Sequence, residues 1–208
     1  MTDRYAVQGI EGEFQPGSNG LVLANKLGIQ SAEDMIELEL ELLQQLYEEV
    51  LVKHLPNRTL TVEDLKTWHR RWLGNVFAWA GQERSVNMGK DGFMFAAAAQ
   101  IPRLLADFER NCLARWTPCT DMTPDALVEA IAVTHVEFIL IHPFREGNGR
   151  LSRLLADVMA MQSGHGPLDY SSWNADRAAY IQAIHQGMQM QYEPMKRLVA
   201  QALGGGAA

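Results

Sequence analysis

Cysteine is nearly missing from this sequence: Cys112 and Cys119 are the only two among 208 residues. Two thiols cannot build the disulfide framework of a small secreted domain, and their spacing fits no zinc pattern, so both are expected as free thiols. Long apolar runs are missing too. The best candidate, 130–141, is broken by Thr134, His135 and Glu137 and falls short of the ~18 apolar residues of a membrane span. The opening stretch, MTDRYAVQGIEGEFQPGSNG, has no apolar core of signal-peptide length. Basic charge is also in deficit: Lys and Arg number 18 against 25 Asp and Glu, for a formal net charge of −7. Broad, sequence-independent nucleic-acid binding needs a basic surface that displaces counterions, and this chain lacks the charge for it. Together these deficits predict a cytoplasmic protein with neither nucleic acid nor membrane as partner.

What is present is ordinary globular composition: 47% hydrophobic and 21% charged residues, enough to bury a real core. The length predicts one domain with a short extension. The expected division is an N-terminal loop and strand extension over 1–30, a catalytic domain over 31–203, and a disordered tail over 204–208. Ser31 is a candidate N-cap, and Met35, Ile36, Leu38, Leu40, Leu42, Leu43, Leu46, Val50 and Leu51 trace an apolar face, so a long amphipathic helix is predicted to about residue 54. Its acids read as a solvated outer face. A second helix is predicted from Thr61 to about Ala80, ending at Gly81. Residues 82–95, QERSVNMGKDGFMF, read as a β-hairpin with arms Arg84–Val86 and Phe93–Phe95 around a glycine-containing turn. Further helices are expected at about 98–115, 124–140 with Thr123 as cap, 148–163, 173–187 and 190–203. The predicted fold class is all-α with one small hairpin.

The chemistry concentrates in HPFREGNGRLSR, residues 142–153. Pro143 lacks a backbone donor and pushes His142 out of helical geometry, so one helix stops near Ile141 and the next begins after the glycines. Between them lies a tight loop feeding a helix N-terminus. There the backbone N–H groups around Gly147, Asn148 and Gly149 can form an anion nest reinforced by the helix dipole. Arg150 and Arg153, three apart, can share a helix face and grip further phosphate oxygens. An acid in such a place calls for a cation between it and the phosphates, which makes Glu146 a Mg²⁺ ligand. His142 can stay neutral and accept a proton from a hydroxyl. Base, metal ligand, nest and arginines together point to phosphoryl or nucleotidyl transfer from a nucleoside triphosphate. Phe144 is expected in the core and Arg145 facing outward.

These residues resemble the Fic motif HPFx(D/E)GNGRxxR at every specified position. The similarity extends from about Phe14 to Leu203: EFQPGSNGLVLANKLGI resembles the strand and loop ahead of the first Fic helix, and FAWAGQERSVNMGKDGFMF resembles a helix end and the flap that aligns a target. The resemblance implies a Fic fold, a helical bundle with a β-hairpin flap, and protein adenylyltransferase activity with ATP and Mg²⁺. His142 would deprotonate a Tyr, Thr or Ser hydroxyl of a target protein. Glu146 would hold Mg²⁺; Gly147, Asn148 and Gly149 would line the anion hole; Arg150 and Arg153 would hold the outer phosphates. Met88, Gly89, Lys90 and Phe93 would belong to the target-positioning flap. The Doc branch has lysine where this chain has Gly149, binds ATP reversed and transfers the γ-phosphate, so glycine favours AMP transfer. The alternatives are a toxin held inactive by a separate antitoxin chain, or transfer of another phosphate-containing group. Fic proteins are often inhibited by the glutamate of an (S/T)xxxE(G/N) helix. Glu11-Gly12 in VQGIEG is the nearest candidate, but Val7 replaces the hydroxyl residue; TLTVED at 59–64 lacks the final Gly or Asn, and Glu193 is followed by Pro194. A separate antitoxin, or no inhibitor of this kind, is the expectation. Met188, Met190 and Met195 are expected in core packing, with His135 and His185 structural.

Overall fold

The computed structural model describes residues 12–90 and 92–204. Its elements, in order, are helices α1 (Ala32–Tyr47) and α2 (Val62–Leu73), strands β1 (Gly89–Lys90) and β2 (Phe93–Met94), and helices α3 (Ile101–Phe108), α4 (Ala114–Trp116), α5 (Pro124–Ile141), α6 (Asn148–Gln162), α7 (Ser171–Ala175), α8 (Arg177–Gly187) and α9 (Glu193–Gly204). It is an all-α bundle with a two-stranded antiparallel hairpin, Gly89 opposite Met94 and Lys90 opposite Phe93. Among the described residues, no helix is long and apolar enough to cross a membrane.

Local chemistry starts the helices where the sequence predicts. Ser31 accepts from the Asp34 backbone N–H, and Thr61 with Asp64 closes a full capping box, which satisfies donors that the first turn leaves open. Thr123 caps α5 ahead of Pro124, whose missing N–H costs nothing at that position. The α1 chain continues through a wider π turn over Glu48–Lys53, so the first helix ends where expected.

Helix α5 is apolar on nearly every side, the mark of a helix that crosses a core. Leu127, Ala130, Ile131, Val136, Phe138 and Ile139 are all buried, and α3, α6, α8 and α9 pack around them. Val22 and Leu23 from the N-terminal extension join the same core, anchored by pairing of Phe14 with Leu23.

Several expectations need correction. The second helix stops at Leu73 because Gly74 serves as its C-cap, and the chain then turns, leaving Val76 and Phe77 buried in a non-helical connection. Arg84–Val86 is not a strand: the Arg84 backbone and side chain are taken up by the carbonyls of the motif loop and flap base. The predicted helix at 173–187 is two, divided at Asp176, which caps α8. Ile36 and Leu40 face solvent, whereas Glu39 is buried; the α1 stripe runs through Met35, Glu39 and Leu46. Of the three C-terminal methionines only Met195 is in the core, with Met188 and Met190 exposed. Gly204 still belongs to α9, while residues 205–208 and Glu11 lie outside the described residues. Cys112 and Cys119 are free, as predicted, and both are buried.

Candidate active site

The loop from His142 to Gly147 joins the end of α5 to the start of α6. His142 is the C-cap of α5 in a left-handed conformation, φ 51° and ψ 59°; the proline that follows it disfavours the right-handed geometry that would continue the helix. Its Nδ1 lies 3.2 Å from the Ile139 carbonyl. A carbonyl can only accept, so Nδ1 carries the hydrogen and, in the neutral ring, Nε2 carries a lone pair. Burial first, and the Arg84 and Lys90 charges next, lower its pKa to about 3 against the opposing Ile139 contact. The ring is therefore neutral at physiological pH. Phe95, just past β2, stacks on it with centroids 3.7 Å apart.

Gly147 precedes α6 at φ +82°, and a Cβ there would come within 2.6 Å of Trp72, so only glycine serves. Gly149 has open space where its Cβ would be. The Asn148 side chain is spent inside the loop, accepting from the Phe144 N–H at 2.9 Å and donating to the Phe144 carbonyl at 2.7 Å. Only its backbone is left to meet a ligand. Phe144 is buried as expected; Arg145 is buried as well, at 2% exposure, contrary to the outward placement predicted for it. In a loop this tight, neither neighbour of Phe144 has a solvent side to turn to.

Support arrives from residues far away in sequence. His69 on α2 accepts the Gly81 N–H at Nδ1, 2.8 Å, and therefore donates from Nε2 to the Glu146 carbonyl, 3.0 Å. It stacks on Phe144 with centroids 4.1 Å apart. Arg84 donates from Nε to the His142 carbonyl at 2.7 Å and from its backbone to the Pro143 carbonyl at 2.8 Å. Both ends of the loop are thus held by buried donors.

A cavity of about 450 Å³ opens over the α6 N-terminus, lined by Glu146, Gly147, Gly149, Arg150, Arg153 and Arg177, among others. A narrower one of about 170 Å³ lies between flap and α8, reached by Lys90, Phe93, Phe95, His142 and Gly149. Arg153 lies 4.8 Å over the Tyr170 ring and donates to Asn174 Oδ1 at 3.0 Å. Tyr170 is in turn bonded to buried Asp157 at 2.9 Å. Arg150 also lines the larger cavity but is tied to Glu39, Nη1 to Oε2, at 2.8 Å.

The sequence of this region decides the family. The Fic/DOC family profile matches residues 59–160. The chain belongs to the Fic/DOC family. Among curated relatives, it is 30% identical over 142 residues to protein adenylyltransferase fic-1 of Caenorhabditis briggsae, covering 68% of this chain but 27% of that protein. To protein adenylyltransferase Fic of Nematostella vectensis it is 30% identical over 149 residues, covering 69% and 32%. The chain thus spans about a third or less of these two relatives. It is 28% identical to the probable protein adenylyltransferase Fic of Salmonella typhimurium over 173 residues, with 79% of each chain covered. Among solved structures, the Fic domain of Bep8 from Bartonella sp. 1-1C matches with a TM-score of 0.76 at 24% identity, over 90% of this chain and 94% of that one. BepC from Bartonella tribocorum, solved with AMPPNP, matches at 0.72 and 23%, over 86% and 91%; these likenesses speak to the fold.

In this Fic chain the motif residues His142, Glu146, Gly147, Asn148, Gly149, Arg150 and Arg153 come together on one loop and helix start. The flap residues divide: Lys90 and Phe93 reach the smaller cavity, while Met88 is fully buried beneath the hairpin. Gly89 pairs with Met94, and a Cβ on it would meet that side chain at 2.6 Å. Phe93 stacks on His185, centroids 4.2 Å apart, and His135 bonds to Tyr180 at 2.8 Å. Sequence reasoning missed His69, Arg84, Glu39 and Arg177. Their only signal is a polar residue on a helix or loop, which is indistinguishable from a solvated one without the fold.

As for a metal, no group of three or more His, Cys, Asp or Glu side chains is gathered for one among the described residues. Glu146 is a single, largely buried carboxylate facing the cavity beside two arginines. That suits Mg²⁺, which takes one or two carboxylates together with substrate phosphates, and does not suit an ion held by protein alone.

Proposed function

We propose that this chain transfers AMP from ATP to a hydroxyl of a target protein. The observation that carries the reading is a neutral, buried His142, oriented by Ile139, at the mouth of an anion-binding helix N-terminus with arginines beyond it. The target's Tyr, Thr or Ser oxygen attacks the α-phosphorus, its proton passes to His142 Nε2, the bond from the α-phosphorus to the bridging oxygen breaks, and pyrophosphate leaves. Backbone N–H groups of Asn148 and Gly149 stabilise the charge on the phosphoryl oxygens, joined by that of Gly147 when Glu146, which now accepts it at 3.1 Å, turns to the nucleotide's cation. Arg153 holds the outer phosphates, and Arg177, unforeseen in the sequence, adds a further cation. Glu146 would bind Mg²⁺ with the nucleotide, and that ion would neutralise phosphate charge. Lys90, Phe93 and the hairpin backbone position the target segment by strand addition.

Relatives named protein adenylyltransferase support the reading. We place the activity in the cytoplasm. We place any inhibitory carboxylate on a separate small antitoxin-like chain: Glu193 is engaged with Lys196, and Glu63, the glutamate of the 59–64 stretch, lies 3.9 Å from Arg70. The test is incubation with lysate and ATP labelled at the α- or the γ-phosphate. Protein label from the α position alone is expected; label from the γ position alone would mean that the nucleotide binds reversed past Gly149 and the reaction is phosphorylation.

A further inference from the structure

The first helix brings a buried acid to the motif. Glu39 is 3% exposed, on the apolar stripe of α1, a position a carboxylate occupies only when it is paired. Its Oε2 is 2.8 Å from Arg150 Nη1, while the other end of the same guanidinium, Nη2, stands 3.7 Å from Glu146 Oε1. Trp72 fixes the arrangement from α2: its indole N–H donates to the Glu39 carbonyl at 2.9 Å, and its ring face carries the guanidinium at 4.5 Å. Arg150 thus lies between two carboxylates, closely ion-paired with the buried one and more loosely with the other.

Arg150, in the first turn of α6, lies 3.7 Å from Glu146 in the loop just before it, within reach of a direct ion pair. A planar guanidinium matched to a carboxylate at two points is a strong competitor for any cation that needs that carboxylate. Glu39 takes up the shorter contact and leaves Glu146 only the longer one to Arg150 and the Gly147 N–H, which donates to its Oε1 at 3.1 Å. We infer that Glu39 is a positioning residue that draws Arg150 away from Glu146 and so keeps the Glu146 carboxylate available to the divalent cation accompanying the nucleotide. The inference rests on the nucleotidyl-transfer reading and adds a determinant of metal affinity outside the motif.

The test compares two affinities in the intact chain, for the Mn²⁺ complex of α,β-methylene ATP by water-proton relaxation and for the same nucleotide in EDTA by equilibrium dialysis. Glu39→Gln should weaken the Mn²⁺ complex about tenfold, the low end of what outer partners of metal ligands contribute. Metal-free nucleotide should bind as well as before or better, since a negative charge has been removed near the phosphates. In an Arg150→Met background the same substitution should add no further metal-specific loss. Equal weakening of both forms would mark a structural role and overturn the inference, as would an unchanged Mn²⁺ complex. Should Glu39→Gln fail to fold, Glu39→Asp keeps the charge but shortens the tether: a severalfold metal-specific loss is expected, and equal losses in both forms overturn the idea. A wild-type chain that binds neither form would overturn the nucleotidyl-transfer reading first, and this inference with it.

Discussion

At the residue scale, the candidate site depends on histidines kept neutral in different ways. His142 and His69 each have one ring nitrogen committed to a carbonyl, and burial lowers their pKa values to about 3 and about 4. The first is placed to take a proton and the second, bonded at both nitrogens, is placed only to hold the loop. His142→Ala is therefore expected to cut transfer by roughly 10²–10⁴-fold, the usual value of a positioned base, while nucleotide affinity stays within a few-fold; α-labelled ATP and equilibrium dialysis measure the two. Transfer at wild-type rate by this variant would remove the base assignment. Residues 142–153 were legible in the sequence because they are contiguous, and a proline and two glycines announce the loop. His69, Arg84 and Glu39 were not, since each acts across tens of residues of chain on a backbone carbonyl or an arginine.

At the element scale, the crossing of α8 over α5 fixes the far wall of the site, because α8 carries Arg177 and Tyr180 into both cavities. The crossing is close: a Cβ on Gly187 would lie 2.2 Å from Val136 Cγ1. Gly187→Ala should destabilise the fold by about 1–3 kcal/mol through overpacking, and Gly187→Ala combined with Val136→Ala should recover part of that loss, as measured by denaturant unfolding. Purely additive losses would mean that the helices separate freely. The pattern of helices was legible from caps and periodicity, and errors fell where a glycine or an aspartate cut a helix that apolar spacing alone would continue, at Gly74 and Asp176.

At the scale of the whole molecule, buried titratable groups tie stability to pH. Burial lowers the pKa of His69 to about 4 and of His135 and His142 to about 3, below the ~6.5 of an unfolded chain. Below pH ~6.5 the unfolded state binds protons that the fold refuses, so stability falls with pH, by about 1.4 kcal/mol per unit per group. Asp157 opposes them: burial raises its pKa to about 6, so between about 6 and the unfolded ~3.9 the fold binds its proton more readily. The balance of three groups against one leaves a loss of about 3 kcal/mol per pH unit below pH 6, which by about pH 4 matches the low end of a typical 5–15 kcal/mol stability. The melting temperature should fall steeply from pH 6.5 to 5; a flat profile would show that these imidazoles accept protons within the fold.

The sequence by itself determined the helical class, the positions of most caps, the loop between α5 and α6 and the chemistry that loop carries, because each depends on neighbours within a few residues. Tertiary structure alone decided which polar side chains of amphipathic segments are buried and what they hold. Glu39 reads as one more acid on an acidic face until α2 and α6 pack over it, and Arg145 as one more exposed arginine until the tight loop that carries it is buried. Helical periodicity states which residues share a face, whereas the fold decides where that face points.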